Sequence, residues 1–405
     1  MKKNIGQKSL WIAASALALQ MSCGKPESKS DSRLDVTSVK HSPVKRQSIG
    51  NCWLYAHSTW LESMLLNTLD KVVDVSETYW TYWDFYWKVS GQRLYKEGDE
   101  DLATGGGWGL STSIIKNHGW VEEGKFIMTA DGLPADTEAM SRSQACAETY
   151  MLEALKEGGS LVGVTDSTAI HAALQKAFSC GGDYKVNLNP DGSIPEGLEV
   201  HSAQTTMLKD VKNPQRSQSL QYWVDRWSSV SPVSPYSKNS GKRLPSLETE
   251  KQSTDVVKRV MKALNDKQPV VMSFFVSFNA PNENGVFNTR TLADARELGS
   301  SGGHMVVLHD YTVTDVPGQE GGRLGEGDLS PELKNAALGG KLEMLVAKNS
   351  WSSDRADRPW IKDGFSRFSW DYLTSYYYDV ELNKDYTDRY VFKSFGQEFI
   401  LPPGY

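Results

Sequence analysis

The sequence predicts an α+β protein in which a helical half precedes a β-rich half. Two observations carry this expectation. From residue 52 onward, apolar residues recur at helical spacing at Trp53, Leu54, Ala56, Trp60, Leu61, Met64 and Leu65. Beyond residue 254 the pattern shortens to compact apolar runs such as Val270-Val271-Met272 and Met305-Val306-Val307-Leu308, separated by glycine- and asparagine-rich stretches. A chain of 405 residues holds one large domain or two ordinary ones and buries a substantial core without disulfide help.

Taken in order, residues 1–22 read as a signal peptide. Lys2, Lys3 and Lys8 make a basic start, and residues 10–19 form an apolar run too short to span a bilayer. Ser22-Cys23 follows, and the whole resembles a bacterial lipoprotein signal, with Gln20 where an aliphatic residue is usual. The resemblance implies lipidation at Cys23 and a membrane anchor in the cell envelope, facing periplasm or exterior; plain secretion is the alternative. Residues 23–40, rich in Lys, Ser and Asp, read as a tether.

Residues 41–128 form the helical half. A helix is expected over 52–69. A second begins after Ser76, a plausible N-cap, with aromatic residues on nearly every side from Tyr79 to Trp87 and therefore largely buried. Thr104-Gly105-Gly106-Gly107 is a loop ahead of a helix over 111–117. Residues 129–253 read as an insertion, with helices over 137–156 and 168–178, a short strand at 161–164, a turn at 189–192 and a long loop over 217–246. The β-rich half, 254–405, should carry a helix over 254–265 and strands at 269–276, 304–314 and 341–348. Loops are expected at 279–299 and 318–340.

The formal charge of −6 and a pI near 5.7 argue against nucleic acid as a partner. The 13 Trp and 17 Tyr suggest packed interfaces or grooves. The four cysteines show no metal-ligand spacing, and no cofactor is implied. Setting Cys23 and Cys52 aside, Cys146 and Cys180 remain. In an oxidising compartment they could pair, but sequence does not decide it.

The chemistry gathers around Gln47-Ser48-Ile49-Gly50-Asn51-Cys52-Trp53. A loop delivers Cys52 to a helix N-terminus, where backbone N–H groups and the dipole favour a thiolate. Acyl transfer also needs a base, a group to orient it and oxyanion donors. His304 opens one strand-like run and Asn349, followed by Ser350-Trp351, ends another; Gln47 lies five residues before the cysteine. A single such Cys or His is more often structural than catalytic. Together, and in this order, these residues resemble the papain-like cysteine peptidases. Val75-Ser76, Tyr82-Trp83-Asp84 and the Gly105-Gly106 loop resemble the bleomycin hydrolase and aminopeptidase C branch.

The resemblance implies a papain-like fold with the cleft between the two halves. It implies a Cys52–His304 ion pair, Asn349 orienting the imidazole, Gln47 and the Cys52 amide at the oxyanion, and Trp351 shielding the His–Asn bond. Gly105 and Gly106 would bind substrate backbone. The expected partner is a peptide or protein substrate, with aminopeptidase action possible; oligomeric state is not legible. The 252 residues from Cys52 to His304 exceed the minimal spacing of the family, hence the insertion. Departures are the Gln47–Cys52 spacing, one residue short, and Asn51, Ser352 and His309-Asp310 in place of the family's usual residues. The rival reading is a non-catalytic binding or scaffold lipoprotein on the same fold.

Overall fold

A computed structural model describes residues 36–91, 104–232 except 211 and 214, and 247–405 except 320–323, 325–327, 362 and 383–387. The signal segment, Cys23 and tether residues 23–35 lie outside the described residues. The architecture is α+β. The first part holds α1 (Cys52–Leu69), α2 (Glu77–Ser90), α3 (Trp108–His118), β1 (Ile127–Thr129), α4 (Thr137–Leu155), α5 (Ser167–Phe178) and β2 (Tyr184–Val186). There follow β3 (Met207–Lys209), β4 (Ser217–Ser219), α6 (Leu220–Arg226) and β5 (Ser228–Val230). The second part holds α7 (Leu247–Asn265), β6 (Val270–Ser277), β7 (Val286–Phe287), α8 (Thr289–Ala295), β8 (Ser301–Thr314), α9 (Pro331–Ala337) and β9 (Lys341–Lys348). It ends with β10 (Phe365–Ser369), α10 (Trp370–Thr374), β11 (Tyr376–Leu382), β12 (Asp388–Ser394) and β13 (Gly396–Leu401). None of the described helices is long and apolar enough to cross a membrane.

Seven strands form the main sheet in the order β5-β13-β6-β8-β9-β10-β7. The β8 strand sits at its centre, antiparallel to β6 and β9. Alternation along β8 explains why it reads as a continuous apolar run. Met305 and Val307 pack into the helical core around Trp53, Trp60 and Trp80, while Val306 and Leu308 pack with Val260 and Leu264 of α7. Both faces are dry at this point, so the strand carries apolar side chains from Met305 to Leu308.

Both expected starts of the helical half are observed. The first helix spans Cys52–Leu69, and the Ser76 hydroxyl caps α2 by accepting from the Tyr79 amide. Burial of α2 is complete from Glu77 to Phe85 and partial at Tyr86 and Trp87.

Four local expectations are corrected. Residues 161–164 form turns, not a strand: Val162 and Val164 amides bond back to Gly159 and Leu161, and Gly163 sits at φ 71°. The expected loop over 217–246 contains β4, α6 and β5, because Leu220, Trp223 and Val224 bury one helical face and Ser219 caps it. The 279–299 stretch contains β7 and α8, the latter capped by Asn288. The 318–340 stretch contains α9, with Ser330 at the cap and Pro331 at its first turn.

Two larger expectations also change. Val36, Thr37 and Val39, at the end of the expected tether, are buried. The backbone amides of Val36 and Thr37 donate to the Asp310 carboxylate, which fixes this stretch on the β-rich half. The stretch read as an insertion shares one core with α1 and α2, and Cys146 of α4 is disulfide-bonded to Cys180 just after α5.

Candidate active site

Cys52 is the first residue of α1, preceded by Asn51. Burial pushes its thiol up to about 11, opposed by the backbone amides of Met305, Trp53 and Cys52 itself. Two of those amides belong to the helix N-terminus; the third belongs to β8, directly after His304. The sulfur therefore lies where α1 packs against the central strand.

His304 is 6% exposed. Its Nε2 lies 2.8 Å from Asn349 Oδ1. That oxygen also accepts from the Ser350 amide at 2.7 Å, while Asn349 Nδ2 bonds Ser366 Oγ at 2.9 Å. A backbone N–H can only donate, so the atom facing it is the carbonyl oxygen of Asn349. Nε2 must then carry the proton, and in the neutral ring Nδ1 is left as the base. Trp351 stacks on the imidazole at 4.6 Å and 25°, and Phe274 meets it edge-on at 5.6 Å. These rings exclude water from the Nε2–Oδ1 bond.

The same dryness disfavours charge. His304 is lowered to about 4, first by burial and then by the nearby Arg358 cation, against the opposing bond from Asn349. A thiol near 11 and an imidazole near 4 are each neutral at pH 7. Burial thus favours the neutral form of each group taken singly.

The loop carrying Asn349 is tied to the stretch leading into α1. The Gln47 amide donates to the Ser350 carbonyl at 2.9 Å and the Ser352 amide to the Lys45 carbonyl at 3.1 Å. The Gln47 side chain accepts from the Ser350 hydroxyl and donates through Nε2 to the Ile49 carbonyl at 3.0 Å. One N–H of that amide is therefore engaged and one remains.

The two glycines of the 104–107 loop differ. A Cβ on Gly106 would stand 2.4 Å from the Trp53 ring, whose Nε1 donates to the Thr104 carbonyl; Gly105 has open space around it. Gly106 is thus required by packing, whereas Gly105 is exposed and its carbonyl accepts from Lys88 Nζ at 3.4 Å. His57 faces away from the sulfur: it stacks on Trp108 at 4.0 Å and bonds Ser111.

Sequence reasoning did not find several supporting groups. Ser366 holds the Asn349 amide, and the Met305 backbone meets the sulfur. Gln144 of α4 accepts from Asn51 Nδ2 at 2.8 Å. Ordinary polar residues 17 to 93 positions from their partners leave no local pattern.

No protein-family model matches the chain, and no curated protein sequence matches it. Among solved structures, PepW from Lactobacillus rhamnosis HN001 is similar over 91% of this chain and 81% of that one, at 13% identity and a TM-score of 0.41.

Proposed function

We propose that this chain is a cysteine peptidase that hydrolyses peptide bonds through Cys52, His304 and Asn349. The observation that carries the reading is the fixed tautomer of His304. Asn349 Oδ1 holds Nε2–H, which leaves Nδ1 unprotonated on the strand whose Met305 amide meets the Cys52 sulfur.

From the neutral pair, His304 Nδ1 takes the thiol proton as the sulfur attacks the substrate carbonyl. The Cys52 amide and the remaining Gln47 N–H donate to the oxyanion, each worth about 3 kcal/mol in comparable sites. The imidazolium then gives its proton to the leaving amine and a thioester remains. Water attacks that ester, His304 takes its proton, and the proton returns to sulfur as the acid leaves. Gly105 offers backbone to the substrate on the acyl side.

The test is turnover of a peptide library with free and blocked amino ends. Cleavage must vanish in Cys52→Ala and fall at least 100-fold in His304→Ala. If Cys52→Ala still cleaves, the reading is wrong. Cleavage confined to free amino ends would make the enzyme an aminopeptidase.

One observation favours a second reading, a binding or scaffold protein without turnover: the thiol is buried and raised to about 11. Under that reading Cys52 resists alkylation in folded protein and no library member is cut. The Cys146–Cys180 disulfide supports an oxidising location, in keeping with export and a lipid anchor at Cys23. The mass of the mature amino-terminal peptide from membranes decides this: a diacylglyceryl adduct on Cys23 is expected, and an unmodified start elsewhere refutes it.

A further inference from the structure

His304 gives its proton to the leaving amine, so substrate residues beyond the scissile bond leave the site past His304 and over Trp351. That side of the site is not neutral. The Arg358 guanidinium lies over the Phe278 ring at 4.1 Å and 5.5 Å from the Trp351 ring centre. Phe278 and Trp351 are themselves 5.3 Å apart. Two aromatic rings thus flank the cation.

Its neighbouring carboxylate, Asp357, pairs with it only at long range. Asp357 is gripped by Arg355, through Nε at 2.8 Å and through Nη2. Arg358 Nε stands 3.9 Å from the same carboxylate, beyond hydrogen-bond range. The side chain is 27% exposed. Centroid distances of 4.6 Å from His304 to Trp351 and 5.5 Å from Trp351 to Arg358 put the guanidinium within about 10 Å of the imidazole. Extended peptide advances about 3.3–3.6 Å per residue, so one or two residues past the scissile bond reach it.

We infer that Arg358 is a specificity-determining residue that binds a carboxylate on the leaving-group side of the substrate. The inference rests on the peptidase reading. A guanidinium fork pairs with a carboxylate through two parallel bonds. The carboxylate is either an Asp or Glu side chain, or the free carboxyl end of a short substrate.

The experiment measures kcat/KM on quenched fluorogenic peptides identical up to the scissile bond. Beyond it they carry Asp, Asn or Lys at the first or second position, with free or amidated carboxyl ends. Wild type is expected to prefer, at least tenfold, either Asp over Asn at one of these positions or a free over an amidated carboxyl end. Arg358→Gln is expected to reduce that ratio to about one, and Arg358→Lys to restore part of it. A preference for Asp over Asn that persists in amidated peptides assigns the site to a side chain; a preference for free over amidated ends, the same for Asp and Asn peptides, assigns it to a terminal carboxylate. Equal cleavage by wild type of Asp and Asn peptides and of free and amidated ends, or a preference that survives in Arg358→Gln, overturns the inference while the peptidase stands. Absence of Cys52-dependent cleavage of every peptide overturns both.

Discussion

Replacing Lys45 by Met should expose how the strap between the two halves is held. The Lys45 ammonium is 7% exposed and lies 3.0 Å from Glu62, 2.6 Å from Asp74, 2.9 Å from Glu77 and 3.2 Å from Glu123. Burial alone would lower it, but these four carboxylates, led by Glu62, hold it well above the usual lysine range. Met fills a similar volume without charge. Glu62 keeps a second cation, Lys348, at 4.0 Å, whereas Glu77 and Glu123 lose their buried partner. Stranding buried charge costs about 3–5 kcal/mol, and the retained Lys348 contact places this variant near the lower end, at about 3 kcal/mol. Glu77 and Glu123 are already raised, first by burial. Without Lys45 they rise further in the folded state, which then binds more protons than the unfolded chain. Stability therefore falls as pH rises, and the loss should be larger at pH 8 than at pH 5. Urea unfolding at both pH values reads this, with Lys40→Met as control. Its ion pair with Asp70 is 62% and 86% exposed, so that variant should change stability by less than about 0.5 kcal/mol. A Lys45→Met loss under about 1 kcal/mol at pH 8, or one independent of pH, would refute the reasoning.

Three further outcomes are expected. Gly106→Ala should destabilise by roughly 1–3 kcal/mol through its clash with Trp53, while Gly105→Ala, with nothing within 4 Å, leaves unfolding midpoints unchanged; equal effects of the two would refute the packing role. Removing the Cys146–Cys180 bridge, whose residues are 34 apart, should lose roughly 3–4 kcal/mol in denaturant unfolding of the Cys146→Ser/Cys180→Ser pair. His57, lowered by burial to about 3, and His304, lowered to about 4, should stay neutral in NMR titrations to pH 5. Each therefore stabilises the fold fully above about 6.5, with that contribution lost as pH falls toward 4, by roughly 3 kcal/mol per ring. Asp84, raised by burial to about 6, pulls the other way over part of that range. The acid limb of kcat/KM should lie near 4, where His304 protonates, and a limb near 6.5 would show that burial does not set this base.

Local signals in the sequence were sufficient where one residue type does one local job. Cys52 opens α1, Ser76 caps α2, and residues 341–348 form β9 with the expected bounds. His304 and Asn349, 45 residues apart, meet because β8 and β9 are neighbouring antiparallel strands. Short capped helices were missed where a single position is buried, Leu292 in Thr289–Ala295 and Ala337 in Pro331–Ala337, since one buried position does not establish a period. The reverse error occurred at residues 161–164. There an apolar run suggested a strand, yet Val162 is 55% exposed and the backbone bonds close turns. The Lys45 cluster was invisible because its partners lie 17, 29, 32 and 78 positions away, and each is an ordinary surface residue type.

The residue before Cys52 breaks a local rule in an informative way. Asn is among the best helix N-caps, yet the Asn51 side chain makes no cap bond to α1. Its Nδ2 instead donates to Thr81 at 2.9 Å and to Gln144 at 2.8 Å. Gln144 in turn reaches Thr78 and Tyr55. Turning the asparagine away leaves the first amides of α1, those of Cys52 and Trp53, for the sulfur. A side-chain oxygen on the helix end would compete for those donors and add negative potential where a thiolate or oxyanion must form. Gln144 belongs to the same helix as Cys146, which the disulfide ties to Cys180. The stretch read as an insertion therefore holds α1 in its uncapped state, through bonds from Asn51 Nδ2 to α2 and α4 that leave the Asn51 side-chain oxygen buried without a partner.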